Sequence, residues 1–424
     1  LFFHVLLLLS MFAMLPAHQV EALILDQTPC LDPQQDVELL DLLSATGRVL
    51  AQSISSKLDF PHWDNSAMDG YAVRYTDVQS CSTDRPVTLE IIEEIPAGYC
   101  PQKTVQPGQA ARILTGSMMP QGADTIVIQE DTQRQGNCVT VLTAPTPQAF
   151  VRYRGEFYRA GAPLLAAGTR LLAPDIAVLA AAQWVQVPVF RRPKVAILST
   201  GSELISPDRP LQPGQIVDSN QYALASLVMS AGADPILLGI VPDDPAAIRQ
   251  AIVQAISQAD MVLSSGGVSV GDYDYVDRIL ADLGAEIHVR AVAVKPGKPL
   301  TVATFSNPQP PTLYFGLPGN PVSALVSVWR FVQPALRKLS GLSEGWKPTF
   351  VRGITRHDLR SDGKRESYLW GRVEPGENTY EFSLASGSPS SGNLINLAQT
   401  NALAVVPIGQ THIPVGAPVQ LLLI

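Results

Sequence analysis

The sequence predicts a multidomain protein: an α/β domain built on a parallel sheet, with β-rich units on either side. Three observations predict it. Across residues 191–340 short apolar runs alternate with helical patterns, as in a parallel sheet covered on both faces. Across 59–150, and again from about 343 onward, short alternating runs are separated by Pro and Gly, as in small sheets or barrels. The length of 424 residues suits two to four domains at roughly 100–200 residues each.

The elements follow in order. "LFFHVLLLLSMFAMLPA" has about 12 mostly apolar residues, short of the roughly 20 that a spanning helix needs. It also lacks the Lys or Arg of a signal peptide's first region. It reads either as an export signal or as translated upstream sequence with the working start at Met11 or Met14, and residues 1–13 are left out of the fold. From Met14 to about Lys57 the pattern is helical: "DVELLDLLSATGRVLAQ" places Val37, Leu40, Leu43 and Val49 near helical spacing. "PVTLEIIEEI", "DTIVIQED" and "CVTVLTA" then read as strands of a β unit. Residues 151–190 return to a mixed segment with a helical patch at "PDIAVLAAAQ". The β unit therefore reads as an insertion: residues 14–60 and 151–190 form one elongated domain, 61–150 the inserted β domain, 191–340 the α/β domain and 341–424 a C-terminal β domain. In the α/β region "KVAILST", "PILLGIV", "DMVLSS" and "TLYFGLP" are strands. "SNQYALASLVMSAGA", "DDPAAIRQAIVQAIS" and "NPVSALVSVWRFVQPALRKL" are helices, the last two with Pro in the first turn.

Composition narrows the function. The chain is 46% hydrophobic and 16% charged, with 30 Lys plus Arg against 38 Asp plus Glu. A net charge of -8 without basic runs argues against nucleic acid and for small-molecule partners. Four cysteines, none at C-x-x-C spacing, speak against a zinc site or a disulfide framework and suit a reducing cytosol. Six scattered histidines indicate no Ser/His/Asp triad.

Each strand of the α/β region ends in a polar cluster: "TGSEL" with Gly201 and Glu203, "PDDP" with Asp243 and Asp244, and "SSGGVSVGDYD" with Ser265, Gly266, Gly267, Ser269, Gly271 and Asp274. "KPGKP" with Lys295 and Lys298, and "LPGNPVS" with Pro318, Pro321 and Ser323, follow. Ligands of such sheets lie at the carboxyl ends of the strands. Gly266 and Gly267 admit close backbone approach, helix N–H groups attract phosphate, and the lysines add positive charge. Glu203, Asp243 and Asp274 form an acidic wall able to bind an amino-heterocycle or a divalent cation. Each has a plainer reading: a Gly-rich turn is common, Asp243 or Asp244 serves as a helix cap, and Glu203 is an ordinary loop residue. Five polar turns at successive strand ends favour the functional one. "FPHWDNSAMDGYAVR" with Asp69 and "RILTGSMMPQGADTIVIQED" with Thr115 read from spacing alone as turns.

The blocks "DNSAMDGYAVR", "RILTGSMMPQGAD", "STGSEL", "SSGGVSVGDYDYV", "KPGKP" and "GLPGNPVSA", in this order from Asp64 to Ala324, closely resemble the MoeA family, the molybdopterin molybdenumtransferases. The α/β region resembles the doubly wound pterin-binding fold of the related adenylyltransferases (MogA/MoaB-like). The resemblance implies an elongated helical domain with an inserted β domain, the α/β domain and a C-terminal β-barrel. It implies insertion of molybdate into adenylylated molybdopterin, with release of AMP and molybdenum cofactor and with Mg²⁺ or a similar cation. It implies a cytoplasmic homodimer whose cleft is shared between subunits, with the molybdopterin adenylyltransferase as a candidate protein partner. Carried over by position, Asp69, Glu203, Asp243, Asp274, Lys295 and Lys298 are catalytic candidates. Thr115, Gly201, Ser265, Gly266, Gly267, Ser269, Gly271, Pro318 and Pro321 line the pterin and nucleotide. Lys298, Ser323, Arg365 and Ser391 hold molybdate, and Glu203, Asp243 and Asp274 the metal. One departure stands out: in "YRGEF" Phe157 occupies the family's Asp position, so an acidic group is lost unless Glu156 replaces it. This keeps open a pterin-binding or scaffolding relative without turnover; a generic nucleotide hydrolase is the third reading.

Overall fold

The computed structural model describes residues 14–267, 273–307, 310–387 and 390–424, with the backbone alone for 273–275. The chain divides into two compact units. One comprises the described residues up to Gln52, Ala167–Leu172 and Gln186–Ile424; the other comprises Ser53–Ala166 and Ala173–Val185.

The first unit is built on a six-stranded sheet in the order Asp234–Val241, Lys194–Thr200, Met261–Ser265, Thr312–Leu317, Pro299–Phe305, Glu286–Ala291. The first four strands run parallel and the last two antiparallel to their neighbours. Apolar residues at consecutive positions fill both faces: Val195 and Ile197 join one core, Ala196 and Leu198 the other. Helix Asn220–Ser230 packs Leu224 and Val228 on the first face. Helices Pro245–Gln258 and Tyr273–Asp282 cover the second with Ile248, Ile252, Ile279 and Leu280. From Lys194–Thr200 the chain crosses to one neighbour, then returns past itself to the other, so the topological switch lies between Lys194–Thr200 and Met261–Ser265. Register brings the strand ends level, pairing Thr200 with Val241, Ser199 with Ser265, and Ser265 with Leu317.

At the opposite end of this sheet Arg191 donates to both carboxylate oxygens of Asp260 at 2.7 Å and to Asp36 at 2.7 Å. Helix Pro321–Ser327 continues through a wider π-type turn, Val328–Val332, into Gln333–Leu339. The wide turn leads into Gln333 and then Pro334, whose missing N–H breaks the regular ladder. From it the buried Arg330 reaches Glu21 on helix Ala17–Gln27 and the Tyr368 hydroxyl at 2.8 Å.

The last part of this unit is a closed ring. Strands Glu366–Pro375, Tyr380–Leu384, Phe350–Thr355, Pro418–Leu423 and Ala402–Val406 pair in turn, and the fifth pairs back to the first. The C-terminal barrel and the doubly wound α/β core are thus as expected. Val294–Lys295 adds to the ring beside Glu366–Ser367 in parallel.

The helical reading of residues 37–49 is corrected. Val37–Asp41 is a strand paired antiparallel with Gln186–Phe190, and turns follow it. Leu39 and Leu43 are exposed, so no helical apolar stripe is buried there. The helix in this region is Ala17–Gln27.

The second unit centres on another six-stranded sheet, in the order Thr125–Ile128, Gly70–Val73, Gln109–Ile113, Val87–Ile95, Cys138–Val141, Thr132–Gln135. Gly70 begins a strand where no side chain fits: a Cβ would lie 2.0 Å from the Val127 carbonyl oxygen. No described helix is long and apolar enough to cross a membrane.

Candidate functional site

The crevice at the switch point is built largely from backbone. Gly266 has φ +94°, and a Cβ there would lie 2.2 Å from the Thr200 carbonyl oxygen. Only glycine lets the turn after Met261–Ser265 pass this close to the end of Lys194–Thr200. On the other side, a Cβ on Gly319 would stand 3.5 Å from the Gly266 Cα, so the two turns touch. Beneath them Ser265 is buried; its hydroxyl accepts from Asn220 Nδ2 at 2.6 Å and reaches the Pro318 carbonyl at 3.5 Å. Asn220 Nδ2 also donates to the Gly319 carbonyl at 2.8 Å. Ser199, level with Ser265 on the neighbouring strand, is buried and its hydroxyl finds no partner among the described residues. Further down, Ser264 pairs with Tyr314 at 2.6 Å, and burial pushes that phenol's pKa up to about 12. Ser269 and Gly271 lie outside the described residues.

The lysine loop reaches the same place from the barrel side. A Cβ on Gly297 would meet Ser327 Oγ at 3.1 Å and the Ser323 carbonyl at 3.5 Å, so "KPGKP" packs on helix Pro321–Ser327. Lys295 is held at 2.9 Å by Asp362, whose carboxyl this ammonium keeps below its ordinary value. Asp362 also accepts from the Lys364 N–H, shaping the turn that leads to Arg365. Arg365 donates to the Val294 carbonyl at 3.2 Å, and Lys298 is exposed. Ser391 meets the start of the same helix, its carbonyl accepting from Val322 N at 3.2 Å and its hydroxyl from Asn320 Nδ2 at 3.4 Å. Asn320 thus turns to Ser391 and makes no side-chain cap bond, contrary to the capped start its sequence suggests. Ser391 meets the start of this helix, the loop carrying Lys298 packs on it at Ser323 and Ser327, and Arg365 joins that loop through Val294.

The acidic candidates sort differently. A Cβ on Gly201 would lie 2.8 Å from Glu203 Oε2, so this exposed carboxylate folds back over its own turn. Asp243 and Ser202 bond reciprocally, Ser202 N to Asp243 Oδ2 at 3.1 Å and Asp243 N to Ser202 Oγ at 3.2 Å. Asp244 is the helix cap, accepting from Ala247 N at 2.8 Å. The cap alternative therefore belongs to Asp244, while Asp243 is bonded to Ser202, next to Glu203 in the chain. The Asp274 side chain lies outside the described residues. Among the described residues no group of three or more His, Cys, Asp or Glu is poised to hold a metal.

In the second unit the two loops that read as turns form one structure. Asp69 Oδ1 accepts from both the N–H and the hydroxyl of Thr115 at 2.7 Å. The hydroxyl first, then the N–H, holds this carboxyl below its ordinary pKa. Ser66 and Gly116 tie the same loops through Ser66 N to Ser117 O and Gly116 N to Ser66 O. Phe157 is 64% exposed, while the Glu156 carboxylate accepts from Tyr153 N at 2.9 Å. Glu156 thus shapes its own turn instead of standing in at position 157.

Sequence reasoning missed Asn220, Thr200, Gly319 and Asp362. Each acts through partners distant along the chain, and in the sequence Asn220 is simply part of the helix "SNQYALASLVMSAGA". Asn directly after Asp218 and Ser219, more polar groups than one helix start needs, was the available signal.

Three family models match the chain: the MoeA N-terminal region (domain I and II) over 15–182, a probable molybdopterin binding domain over 196–338, and the MoeA C-terminal region (domain IV) over 352–424. A molybdopterin molybdenumtransferase of Nostoc is 60% identical over 400 residues, covering 94% of this chain and 92% of that protein. One from Bacillus subtilis is 33% identical, covering 92% and 90%. The crystal structure of a molybdopterin biosynthesis MoeA protein from Pyrococcus horikoshii superposes with a TM-score of 0.82 at 30% identity, covering 97% of this chain and all of that one.

Proposed function

The chain belongs to the MoeA family of molybdopterin molybdenumtransferases, which act in molybdenum cofactor biosynthesis, and we propose that it joins molybdate to adenylylated molybdopterin and releases AMP. The observation that carries this reading is the meeting of Gly266 and Gly319 at the switch point, just before helix Pro321–Ser327, on whose Ser323 and Ser327 the lysine loop packs. The positive end of the helix that opens at Pro321 suits a phosphate, with Gly266 N and Val322 N themselves already bonded to the Leu317 and Ser391 carbonyls. The exposed Lys298, with Ser323, Arg365 and Ser391, supplies cationic and hydroxyl groups fit for a tetrahedral dianion. Lys295, held by Asp362, adds positive charge and fixes the loop that presents Lys298.

Glu203 and Asp243, two carboxylates on either side of Ser202, fit Mg²⁺, which binds through one or two carboxylates and keeps several waters. Asp274 completes that set in this reading. Bound there, the cation would draw charge from the substrate's phosphate oxygens. Asp69, kept ionised by Thr115 in the second unit, is fit to accept an N–H or O–H. In this reading a molybdate oxygen attacks the adenylyl phosphorus, the phosphoanhydride bond to the pterin phosphate breaks, and passage of molybdenum from the resulting molybdate–AMP anhydride to the pterin's dithiolene sulfurs breaks the Mo–O bond and frees AMP. Holding both reactants in one crevice can lower the barrier by up to about 7–11 kcal/mol.

The reading extends to a cytoplasmic homodimer supplied by the adenylyltransferase, which sedimentation and co-purification test. The decisive experiment is AMP formation by purified protein from adenylylated molybdopterin, with and without molybdate. AMP only with molybdate is expected. AMP in both arms would indicate a nucleotide hydrolase, and AMP in neither a pterin-binding relative without turnover, for which the relatives give no support.

A further inference from the structure

Asn220 has no part in the chemistry above, yet its side chain joins the two walls of the crevice. It opens helix Asn220–Ser230, and the cap position before it, Ser219, makes no side-chain cap bond. The Asn220 amide looks away from its own helix. Both hydrogens of Nδ2 are used, on Ser265 Oγ at 2.6 Å and on the Gly319 carbonyl at 2.8 Å. The Gly319 oxygen can only accept, so the nitrogen must face it. The partners lie 45 and 99 residues away, and Asn220 is 9% exposed.

Ser265 immediately precedes Gly266, and Gly319 touches Gly266. The amide therefore pins together the two turns that meet at the crevice. Ser199 offers the contrast: it pairs with Ser265 across the strands but has no hydrogen-bond partner among the described residues. A buried serine at a strand end is not gripped by default here; the one leading into Gly266 is.

We propose that Asn220 is a positioning residue for the transfer reaction, holding the Gly266 and Gly319 turns in contact and hence fixing the surface that the joined turns offer to the pterin phosphate. It touches the walls and not the reacting atoms. This inference rests on the transferase reading.

The test compares wild type, Asn220→Ala, Ser265→Ala and the double variant, by thermal unfolding and by molybdate-dependent AMP formation per folded molecule. Asn220→Ala is expected to lower kcat/KM for adenylylated molybdopterin on the order of 10- to 100-fold, the scale of a small misplacement of reactants. Ser265→Ala should lose less, and the double variant no more than Asn220→Ala alone, because one hydrogen bond is counted in both. A structural role alone would lower the melting temperature and leave kcat and KM of the folded fraction unchanged. That result overturns the proposal. If Asn220→Ala does not fold, Asn220→Ser decides, its hydroxyl being too short to reach both acceptors: a rise in KM for the pterin substrate supports the proposal, and wild-type kinetics overturn it. A wild type without molybdate-dependent AMP formation defeats the transferase reading and this inference together, whereas an active wild type with kinetically normal variants defeats the inference alone.

Discussion

Gly266 and Gly319 touch at the crevice, and alanine should separate them sharply. At Gly266 the new methyl would stand 2.2 Å from the Thr200 carbonyl oxygen on a backbone with φ +94°. A left-handed conformation costs an L residue about 1–2 kcal/mol, and forcing a methyl into filled space costs about 1–3 kcal/mol more. Gly266→Ala should therefore lose roughly 2–5 kcal/mol. For a domain of this size that is a fall in melting temperature of roughly 4–20 °C. At Gly319 the methyl would meet the Gly266 Cα at 3.5 Å, an ordinary contact, and φ is not left-handed. Gly319→Ala should melt within about 2 °C of wild type while its methyl occupies the crevice and depresses AMP release. Differential scanning calorimetry with the molybdate-dependent assay reads both quantities. Equal melting temperatures for the two variants would refute the close approach at Thr200, and full activity of Gly319→Ala would refute the crevice as the seat of substrate.

Two further outcomes follow from the charged groups. The Asp69 carboxyl sits below its ordinary value of 3.8 because Thr115 donates to its ionised form. Its contribution is therefore complete above that value and is lost as pH falls through the depressed one. Thr115→Val should raise the Asp69 titration toward 3.8 in a carboxyl NMR experiment, and an unmoved titration would rule out the hydroxyl as the cause. Asp260→Asn removes the paired acceptor of Arg191, a bond between side chains only 25% and 12% exposed. It should cost about 3 kcal/mol in urea unfolding of the first unit, and a loss below about 1 kcal/mol would place the pair among weak surface bridges.

The sheet and the turns at its strand ends were legible because they follow local rules. "KVAILST" and "DMVLSS" are continuously apolar and end in small polar residues, and "DDP" opens a helix where Asp244 caps it. The barrel was visible only as strand texture, since its closure depends on pairings such as Ser367 with Val406. Val37–Asp41 was misread for the same reason: "VELLDLL" satisfies helical spacing, and its strand state is set by Gln186–Phe190, far along the chain. At the site, Gly266 and Gly267 were conspicuous as a pair, whereas Asn220 looked like any polar residue at a helix start. Its role resides in acceptors on two other loops, which no local window contains.

The ring of the C-terminal region has a consequence for biosynthesis. Pro418–Leu423 lies between Phe350–Thr355 and Ala402–Val406 and is the strand that seals the circle. Until the ribosome has delivered it, both flanking strands present unpaired edges, the arrangement most prone to pairing with other chains. The α/β core can fold while that segment is still being synthesised, so a nascent chain spends an interval with one finished domain and one open one. Newly made protein is then most dependent on chaperones at that moment, and a stall before Pro418 would yield a sticky molecule rather than an inert fragment.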